Sequence, residues 1–405
     1  MQIQEESVLH FFFIAFIALT AYLAVPGAGA FYVRGVWRQF RRTMTASVLF
    51  RPLTYADLHF RDEEWTGPCR FYGTIRAIQG EDRIWCSNGR ISVSVDLRGT
   101  RIYLLSSTID EERIYARHSS PEEPPRRISW KRLSSLPEYT KVYIAGVLRR
   151  EKGTGVFSRR EDLPLLVIIY EQEDEALLRQ AVWRGRQRNE YWNLYTPGSL
   201  VVGSFSLFLY FYLLVQRPLL QLPALAALTL SLAPILPLLP PALFFVILYM
   251  RNWRTGRVLR AERDLLRIST LYFNDGIEIG EEESVRKTRL PTGEQFLMLR
   301  MENKREVPAV FPEGRWIDLS ISKRLIGREY YIFGVSCGEN SNELRLCTPR
   351  DPAAEGLIVP GNPFFLAKKC EARARHLEAV GLSLFVAGAL INGFLAFAAL
   401  RTLLY

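Results

Sequence analysis

The side chains that most often carry out catalysis or bind metals are dispersed in this 405-residue chain. The four histidines, His10, His59, His118 and His376, are isolated from one another, and none has a second His or a carboxylate at ligand spacing on a shared helix face. The five cysteines, Cys69, Cys86, Cys337, Cys347 and Cys370, form no Cys-x-x-Cys pair. A zinc site favours paired spacing and an oxidised framework an even count, so reduced, inert thiols are expected. Gly153-Thr154-Gly155 lacks the third glycine and the following lysine of a phosphate loop and reads as a hairpin tip. Ser119 and Ser120 beside His118 fall in a polar, proline-rich loop, Ser120-Pro121-Glu122-Glu123-Pro124-Pro125. The acidic runs Glu171-Gln172-Glu173-Asp174-Glu175 and Glu281-Glu282-Glu283 would bind a divalent metal only if their carboxylates converged, and consecutive residues point apart. They read as solvated surface, the first also as the acidic start of a helix. No catalytic residue, cofactor or metal is expected, and the chain does not read as an enzyme.

One stretch has the composition of a binding surface: Arg184-Gly185-Arg186-Gln187-Arg188-Asn189-Glu190-Tyr191-Trp192-Asn193-Leu194-Tyr195. Arginines interleaved with aromatics can neutralise and stack on nucleic acid. The same pattern suits a helix approaching a bilayer, with Arg at anionic headgroups and Trp and Tyr in the interfacial belt. Its place just before an apolar stretch at Ser199 favours the membrane, and Trp253 beside Arg251 and Arg254 follows the same logic. Membrane lipids are therefore the expected partner here, and nucleic acid is not.

The elements that position these residues are mostly apolar helices. A bilayer core needs roughly 20 apolar residues at the helical rise, and four spans are predicted, at 10–33, 198–216, 222–250 and 379–401. The third carries Pro234, Pro237, Pro240 and Pro241, so it must be kinked or re-entrant, and its freed carbonyls need protein or water partners. It holds no acidic, His or Asn group to bind an ion. The first span has a cleavage-like Ala28-Gly29-Ala30, but Glu5 and Glu6 give its leading segment the wrong sign for a secretory signal. We read it as a retained anchor.

Basic residues flank these spans unequally. Arg34, Arg38, Arg41, Arg42 and Arg51 follow the first; Arg179, Arg184, Arg186 and Arg188 precede the second. Arg251, Arg254, Arg257, Arg260, Arg263 and Arg267 follow the third, and Lys368, Lys369, Arg373 and Arg375 precede the fourth. The opposite side has Arg217 and Arg401. By the positive-inside rule both long polar segments are cytoplasmic and both termini lie across the membrane, which we expect to be a bacterial cytoplasmic membrane. The net charge of +10 is thus a matter of topology: residues 34–51, 179–190, 251–267 and 368–375 carry +5, +3, +4 and +3, which leaves the rest of the chain net acidic.

Between the spans the pattern repeats. Lys131-Arg132-Leu133, Val142-Tyr143-Ile144-Ala145-Gly146-Val147 and Pro164-Leu165-Leu166-Val167 are echoed by Lys323-Arg324-Leu325, Tyr330-Tyr331-Ile332-Phe333-Gly334-Val335 and Pro363-Phe364-Phe365-Leu366. Each series runs into a helix-like stretch and a span. This reads as an internal duplication: basic juxtamembrane helices at 34–60 and 251–270, β-rich domains at 61–175 and 271–368, and linker helices at 176–197 and 369–378. Strands are predicted at Arg83–Cys86, Arg90–Leu97, Arg101–Leu105, Lys141–Leu148 and Leu165–Tyr170, with an Asn88-Gly89 hairpin turn. Their counterparts are Gln295–Leu299, Trp316–Ile321, Tyr330–Val335, Leu344–Leu346 and Phe364–Leu366. Short strands with Gly146 and Gly334 at crowded bends suggest small OB-like barrels in an α+β, multi-pass helical membrane protein.

The run Gly327-Arg328-Glu329-Tyr330-Tyr331-Ile332-Phe333-Gly334-Val335, then Leu357-Ile358-Val359-Pro360-Gly361-Asn362-Pro363-Phe364-Phe365-Leu366 and a helix into a span, resembles the end of the GIDE, or beside-a-membrane, domain. That domain lies between two transmembrane helices in mitochondrial ubiquitin ligases and prokaryotic relatives. The ligases add a RING with Cys and His ligands that this chain does not match, so the resemblance implies a membrane-proximal interaction module and not ligase activity. The expected function is a non-enzymatic scaffold or sensing platform for other membrane or envelope proteins. A transporter or channel component using the proline-broken span is the first alternative, and a membrane-tethered nucleic-acid-binding protein the second.

Overall fold

The computed structural model describes residues 2–59, 65–80, 82–105, 125–128, 136–151, 154–161, 163–186, 190–273, 285–317, 319, 329–337 and 345–404. The helices, in chain order, are α1 (Gln2–Leu19), α2 (Val25–Ser47), α3 (Tyr55–His59), α4 (Asp174–Gly185), α5 (Tyr195–Val215), α6 (Gln221–Ser231), α7 (Ala242–Leu271), α8 (Val307–Val310) and α9 (Pro363–Leu404). The first sheet contains β1 (Arg51–Pro52), β2 (Trp65–Gln79), β3 (Arg83–Ser87), β4 (Ser92–Asp96), β5 (Ile102–Leu105), β6 (Arg126–Ile128), β7 (Lys141–Glu151), β8 (Thr154–Ser158) and β9 (Leu166–Tyr170). The second contains β10 (Val285–Arg289), β11 (Gln295–Met301), β12 (Arg315–Trp316), β13 (Tyr330–Ser336), β14 (Leu346–Cys347) and β15 (Leu357–Pro360). The chain divides into a helical unit (Met1–Arg38, Arg188–Arg257, Arg373–Tyr405) and a β-rich unit (Gln39–Gln187, Val258–Ala372).

Among the described residues, three helices are long and apolar enough to cross a membrane, Glu6–Ser47, Tyr195–Val215 and Pro363–Leu403. This is the make-up of a multi-pass membrane protein. The predicted third span is not one helix. It is broken into α6, of 11 residues, a 3₁₀ turn at Leu236–Leu238 and the start of α7. Proline cannot donate the backbone hydrogen bond that carries a helix through these positions. The Asn392 side chain of α9 donates to the carbonyls of Leu236 (2.7 Å) and Leu239 (2.8 Å), supplying the protein partner that the broken backbone requires.

The first span has its own irregularity, a π turn at Thr20–Ala24 between α1 and α2. Pro26 has no N–H for the carbonyl of Tyr22, four residues back, and that oxygen accepts the Tyr191 hydroxyl instead (2.7 Å). Ser199 donates to the carbonyl of Ala21 (2.5 Å), and the Tyr22 hydroxyl reaches Leu230 O (3.0 Å). Close packing of α5 here needs Gly203, because a Cβ there would lie 2.4 Å from Ala21 Cβ.

In the β-rich unit, strands β2, β3, β4, β8 and β7 pair in that order, and β7 pairs back onto β2. The result is a closed small barrel of five strands. All these pairings are antiparallel except β4 with β8. Long β2 turns the corner at register shifts between Trp65 and Pro68 and between Ile75 and Ala77. The core is aliphatic, with Cys69, Phe71, Val93, Val95, Ile144, Phe157 and Val167 buried together. A hairpin turn forms at Asn88-Gly89, but the connection spans residues 88–91 and the strand starts at Ser92, not Arg90; Gly89 has φ +85° and Asn88 Oδ1 accepts from the backbone N–H of Arg90 and Ile91.

The second sheet is open, in the order β10-β11-β13-β15-β12 with β14 beside β13. Its centre nevertheless repeats the first. Gly146 on β7 pairs with Cys69 of β2, and Gly334 on β13 with Leu297 of β11. One residue earlier, Ala145 pairs with Leu166 of β9 and Phe333 with Leu357 of β15. The parallel neighbours β5 on β9 and β12 on β15 also correspond. Both glycines sit at crowded points: a Cβ on Gly146 would lie 2.9 Å from Leu165 Cδ1, and one on Gly334 3.1 Å from Leu346 Cβ and 3.2 Å from Cys347 O.

Several expectations need correction. Phe364-Phe365-Leu366 is the first turn of α9, not a strand: Asn362 Oδ1 accepts from the backbone N–H of Phe364 and Phe365, and Pro363 takes the first helical position. The strand equivalent to β9 is β15. The linker helix at 369–378 and the last span are one 42-residue helix, α9, and the juxtamembrane helix at 34–60 ends at Ser47 and is followed by β1 and α3. Of the strand predicted at Trp316–Ile321, Trp316 pairs in β12, and residues 318, 320 and 321 lie outside the described residues. Cys337 and Cys347, expected as reduced thiols, form a disulfide with Cα atoms 5.7 Å apart, because the β13–β14 pairing brings them together. The motifs at 131–133 and 323–325, the acidic run at 281–283, His118 with Ser119 and Ser120, and Arg188 lie outside the described residues.

Candidate functional site

Strand alternation on β2 sends Cys69 and Phe71 into the barrel core and Arg70 and Tyr72 to the other face. Arg70 is 1% exposed. Its guanidinium donates to Val48 O (2.8 Å) and forms an ion pair with Asp351, which is also buried. Asp351 belongs to the segment between β14 and β15 and accepts from the backbone N–H of Ala353 (3.0 Å). Around the pair, Tyr143 donates to Ser47 Oγ (2.7 Å), the Tyr72 and Tyr143 rings meet at 4.8 Å, and Tyr272 donates to Ala353 O (3.0 Å).

Two more ion pairs run in the same sense. Arg179 on α4, 1% exposed in its side chain, contacts Glu355 at 2.5 Å, and Arg186 contacts Asp264 on α7 at 2.6 Å. In all three, the arginine comes from the first β-rich segment and its α4 continuation, and the carboxylate from the second segment. Isolated buried charges are costly, and pairing is what makes these tolerable. Together they form a polar seam joining the two segments within one unit.

Burial and charge shape the protonation of this seam. Desolvation pushes Tyr143 up to about 12, although Arg70 and the Ser47 hydrogen bond act against it. Tyr72, Tyr170 and Tyr272 are likewise raised, chiefly by burial. Burial pulls the Arg70 guanidinium down, but Asp351 and the surrounding tyrosines leave it above its ordinary value. Arg70 and these four tyrosines are thereby held in their ordinary neutral-pH charge states, and none of the five is poised as an acid or base. The Cys86 thiol, pushed up to about 12 by burial alone, is similarly unsuited to act as a nucleophile. Among the described residues, no group of three or more His, Cys, Asp or Glu side chains could hold a metal ion. The chemistry that this arrangement supports is fixation of two segments against each other. No family model, curated protein or solved structure matches the chain.

The residues expected at the membrane interface divide into two groups. In the helical unit, Arg38, Arg251 and Arg254 are exposed, and Arg34 is 3.8 Å from Glu190. Tyr191 holds the Tyr22 carbonyl, Trp192 is 60% exposed, and Arg257 is buried with its guanidinium 5.2 Å above the Trp253 ring. In the β-rich unit, Arg42 and Lys368 are exposed and Lys369 lies over the Phe365 ring. Arg41 donates to Gly185 O (2.9 Å), Arg184 is 1% exposed and Arg186 is paired with Asp264. Arg184 and Arg186 therefore do not present their charge on an open surface, for headgroups or for nucleic acid.

Sequence reasoning missed Arg70, Asp351, Tyr143, Tyr272, Glu355 and Asp264. A usable signal existed for Arg70 alone, an arginine in the alternating run Cys69-Arg70-Phe71-Tyr72. Asn193 was passed over as an interfacial neighbour. It is buried, donates to Pro26 O (3.1 Å) and accepts from the Tyr195 N–H (2.9 Å), so it ties the start of α5 to α2.

Proposed function

We propose that this chain is a non-enzymatic multi-pass membrane scaffold that presents two duplicated, OB-like, membrane-proximal β-domains to other membrane or envelope proteins from the cytoplasmic face. The seam of Arg70–Asp351, Arg179–Glu355 and Arg186–Asp264 carries this reading, because it fuses the two domains into one platform and leaves no reactive group at the join. The matched register of β7 and β13 supports duplication. The connectivity β2-β3-β4-β8-β7, closed by one parallel pair, supports the OB-like reading.

Topology follows from the same unit. If residues 39–187 and 258–372 share one side, the chain between them crosses an even number of times, and α5 accounts for one crossing. The 11 residues of α6 and the apolar start of α7, Ala242 to Met250, supply about 16 and 13 Å at the helical rise, together the thickness of a bilayer core. The second crossing is then two half-helices joined at a proline break. Asn392 fills the break, which supports a structural role for it over the transporter alternative.

The test is photo-cross-linking from exposed β-domain positions such as Arg90 and Arg305 in intact cells. Recurrent adducts to membrane or envelope proteins are expected. Extraction of the full chain free of any neighbour, with turnover of a substrate, would overturn the proposal. A reporter fused after Tyr405 should be active only across the membrane from the β-domains.

A further inference from the structure

A second feature of the β-rich unit, distinct from the seam, has the make-up of a ligand site. An open cleft of about 550 Å³ lies between α2 and the barrel, with Gln39, Thr43, Gly99, Thr100, Arg101 and Arg159 along it. Phe40, Tyr103, Leu165 and Leu166 provide an apolar wall, with the Phe40 and Tyr103 rings 4.5 Å apart. Among the described residues, no carboxylate lines it.

Among the described residues the two guanidiniums make only neutral contacts: Arg101 donates to the Gln39 side chain (2.9 Å) and hydrogen-bonds the Tyr103 side chain, and Arg159 donates to Gly99 O (3.2 Å). Both are without an acidic partner among the described residues, in contrast to the neighbouring Arg98, which lies 3.1 Å from Asp96. Gly99, at φ +64°, lets Arg159 approach closely, since a Cβ there would lie 3.3 Å from its Nη1. Thr100 Oγ1 is shielded from solvent and has no hydrogen-bond partner among the described residues, although shielded hydroxyls are ordinarily paired. Two uncompensated forks of N–H donors with an orphan hydroxyl between apolar walls match a phosphate oxyanion, which Arg binds bidentately.

We propose that this cleft binds a phosphate group, with Arg101 and Arg159 as its cationic ligands and Thr100 as an added hydrogen-bond donor. Its apolar wall and its place on α2, six residues beyond Val33 at the end of the first apolar stretch, suit a phospholipid headgroup; free phosphate shares the same chemistry.

The full chain in a maltoside detergent is the material for the test. Native mass spectrometry would follow dioctanoyl phosphatidic acid with dioctanoylglycerol as the phosphate-free control, and equilibrium dialysis would follow inorganic phosphate. One saturable molecule of phosphatidic acid is expected, with none of the control. The Arg101→Gln/Arg159→Gln double variant should bind at least tenfold more weakly, and the surface control Arg305→Gln as wild type. Equal binding of inorganic phosphate would assign the site to the free anion; binding of the lipid alone would assign it to a headgroup. If the double variant does not fold, Thr100→Val decides, with about threefold weaker binding expected. Absence of saturable binding of either probe, or wild-type binding in the folded double variant (or in Thr100→Val where that variant decides), would overturn the proposal.

Discussion

The two β-rich segments share three central strands in matched register, yet one closes into a barrel and the other stays an open sheet. Between β2 and β5 the first segment has β3 and β4, and β4 pairs with β8 to complete the ring. Between β11 and β12 the second has only the short helix α8, whose Val307, with the following Phe311, plugs the core. Among the described residues, the first core gathers nineteen buried residues and the second eight. The second sheet relies instead on its other face, where Phe273, Phe296 and Phe333 pack ring against ring with Tyr272. A segment that cannot enclose its own core gains stability from what lies against it, and the acidic halves of the seam all come from this less self-contained partner.

The seam is the sharpest place to break that dependence. At the register position of Arg70 the second sheet has Met298, so Arg70→Met replaces the first segment's residue with that of the second. Asp351→Ala alone leaves a buried guanidinium uncompensated and should cost about 3–5 kcal/mol. Arg70→Met with Asp351→Leu should recover most of that loss in denaturant unfolding. Equal destabilisation by the single and double variants would show that the pair is not energetically coupled.

Alkaline pH should act next most strongly. Tyr143 is raised from 10 to about 12 in the folded state, so the folded protein holds this proton more tightly. The associated stability is complete below pH 10 and is lost as pH rises toward 12, by about 3 kcal/mol for this group alone. A melting temperature that falls steeply above pH 10, and less steeply in Tyr143→Phe, is the expected record.

The glycines give a subtler comparison. A methyl on Gly146 meets the mobile end of Leu165, whereas one on Gly334 meets Leu346 Cβ and the backbone oxygen of Cys347. Gly334→Ala should therefore cost about 2 kcal/mol, and Gly146→Ala about 1 or less. Reversal of that order would mean that the two bends are not equivalent. Smallest of all, Cys86→Ala should cost about 1 kcal/mol and abolish no thiol labelling at pH 8, because the native Cys86 thiol is buried and un-ionised.

What could be read in the sequence was local. Apolar length marked the helices, period-two alternation marked Ile91 to Leu97, and Asn88-Gly89 marked a hairpin. The Asn362-Pro363 cap was equally local and was misread, since the apolar run Phe364-Phe365-Leu366 outweighed a helix-start signal. What stayed hidden was pairing at a distance. Arginines 184 and 186 carry the same composition whether they face headgroups or a carboxylate, and Asp264 is 78 residues from Arg186. Barrel closure through β4 and β8 depends on contacts that no single window contains.

Arg70 and Asp351 are separated by 281 residues, and this has a consequence for the chain as it is made. At about 5–20 residues per second of synthesis, Arg70 waits on the order of 15–60 s for its carboxylate to leave the ribosome. In that interval the first barrel has its strands but carries an unneutralised guanidinium on the face later sealed. Until Asp351 arrives, the carboxylate half of this ion pair is missing, and joining of the two segments through it waits for the last quarter of translation.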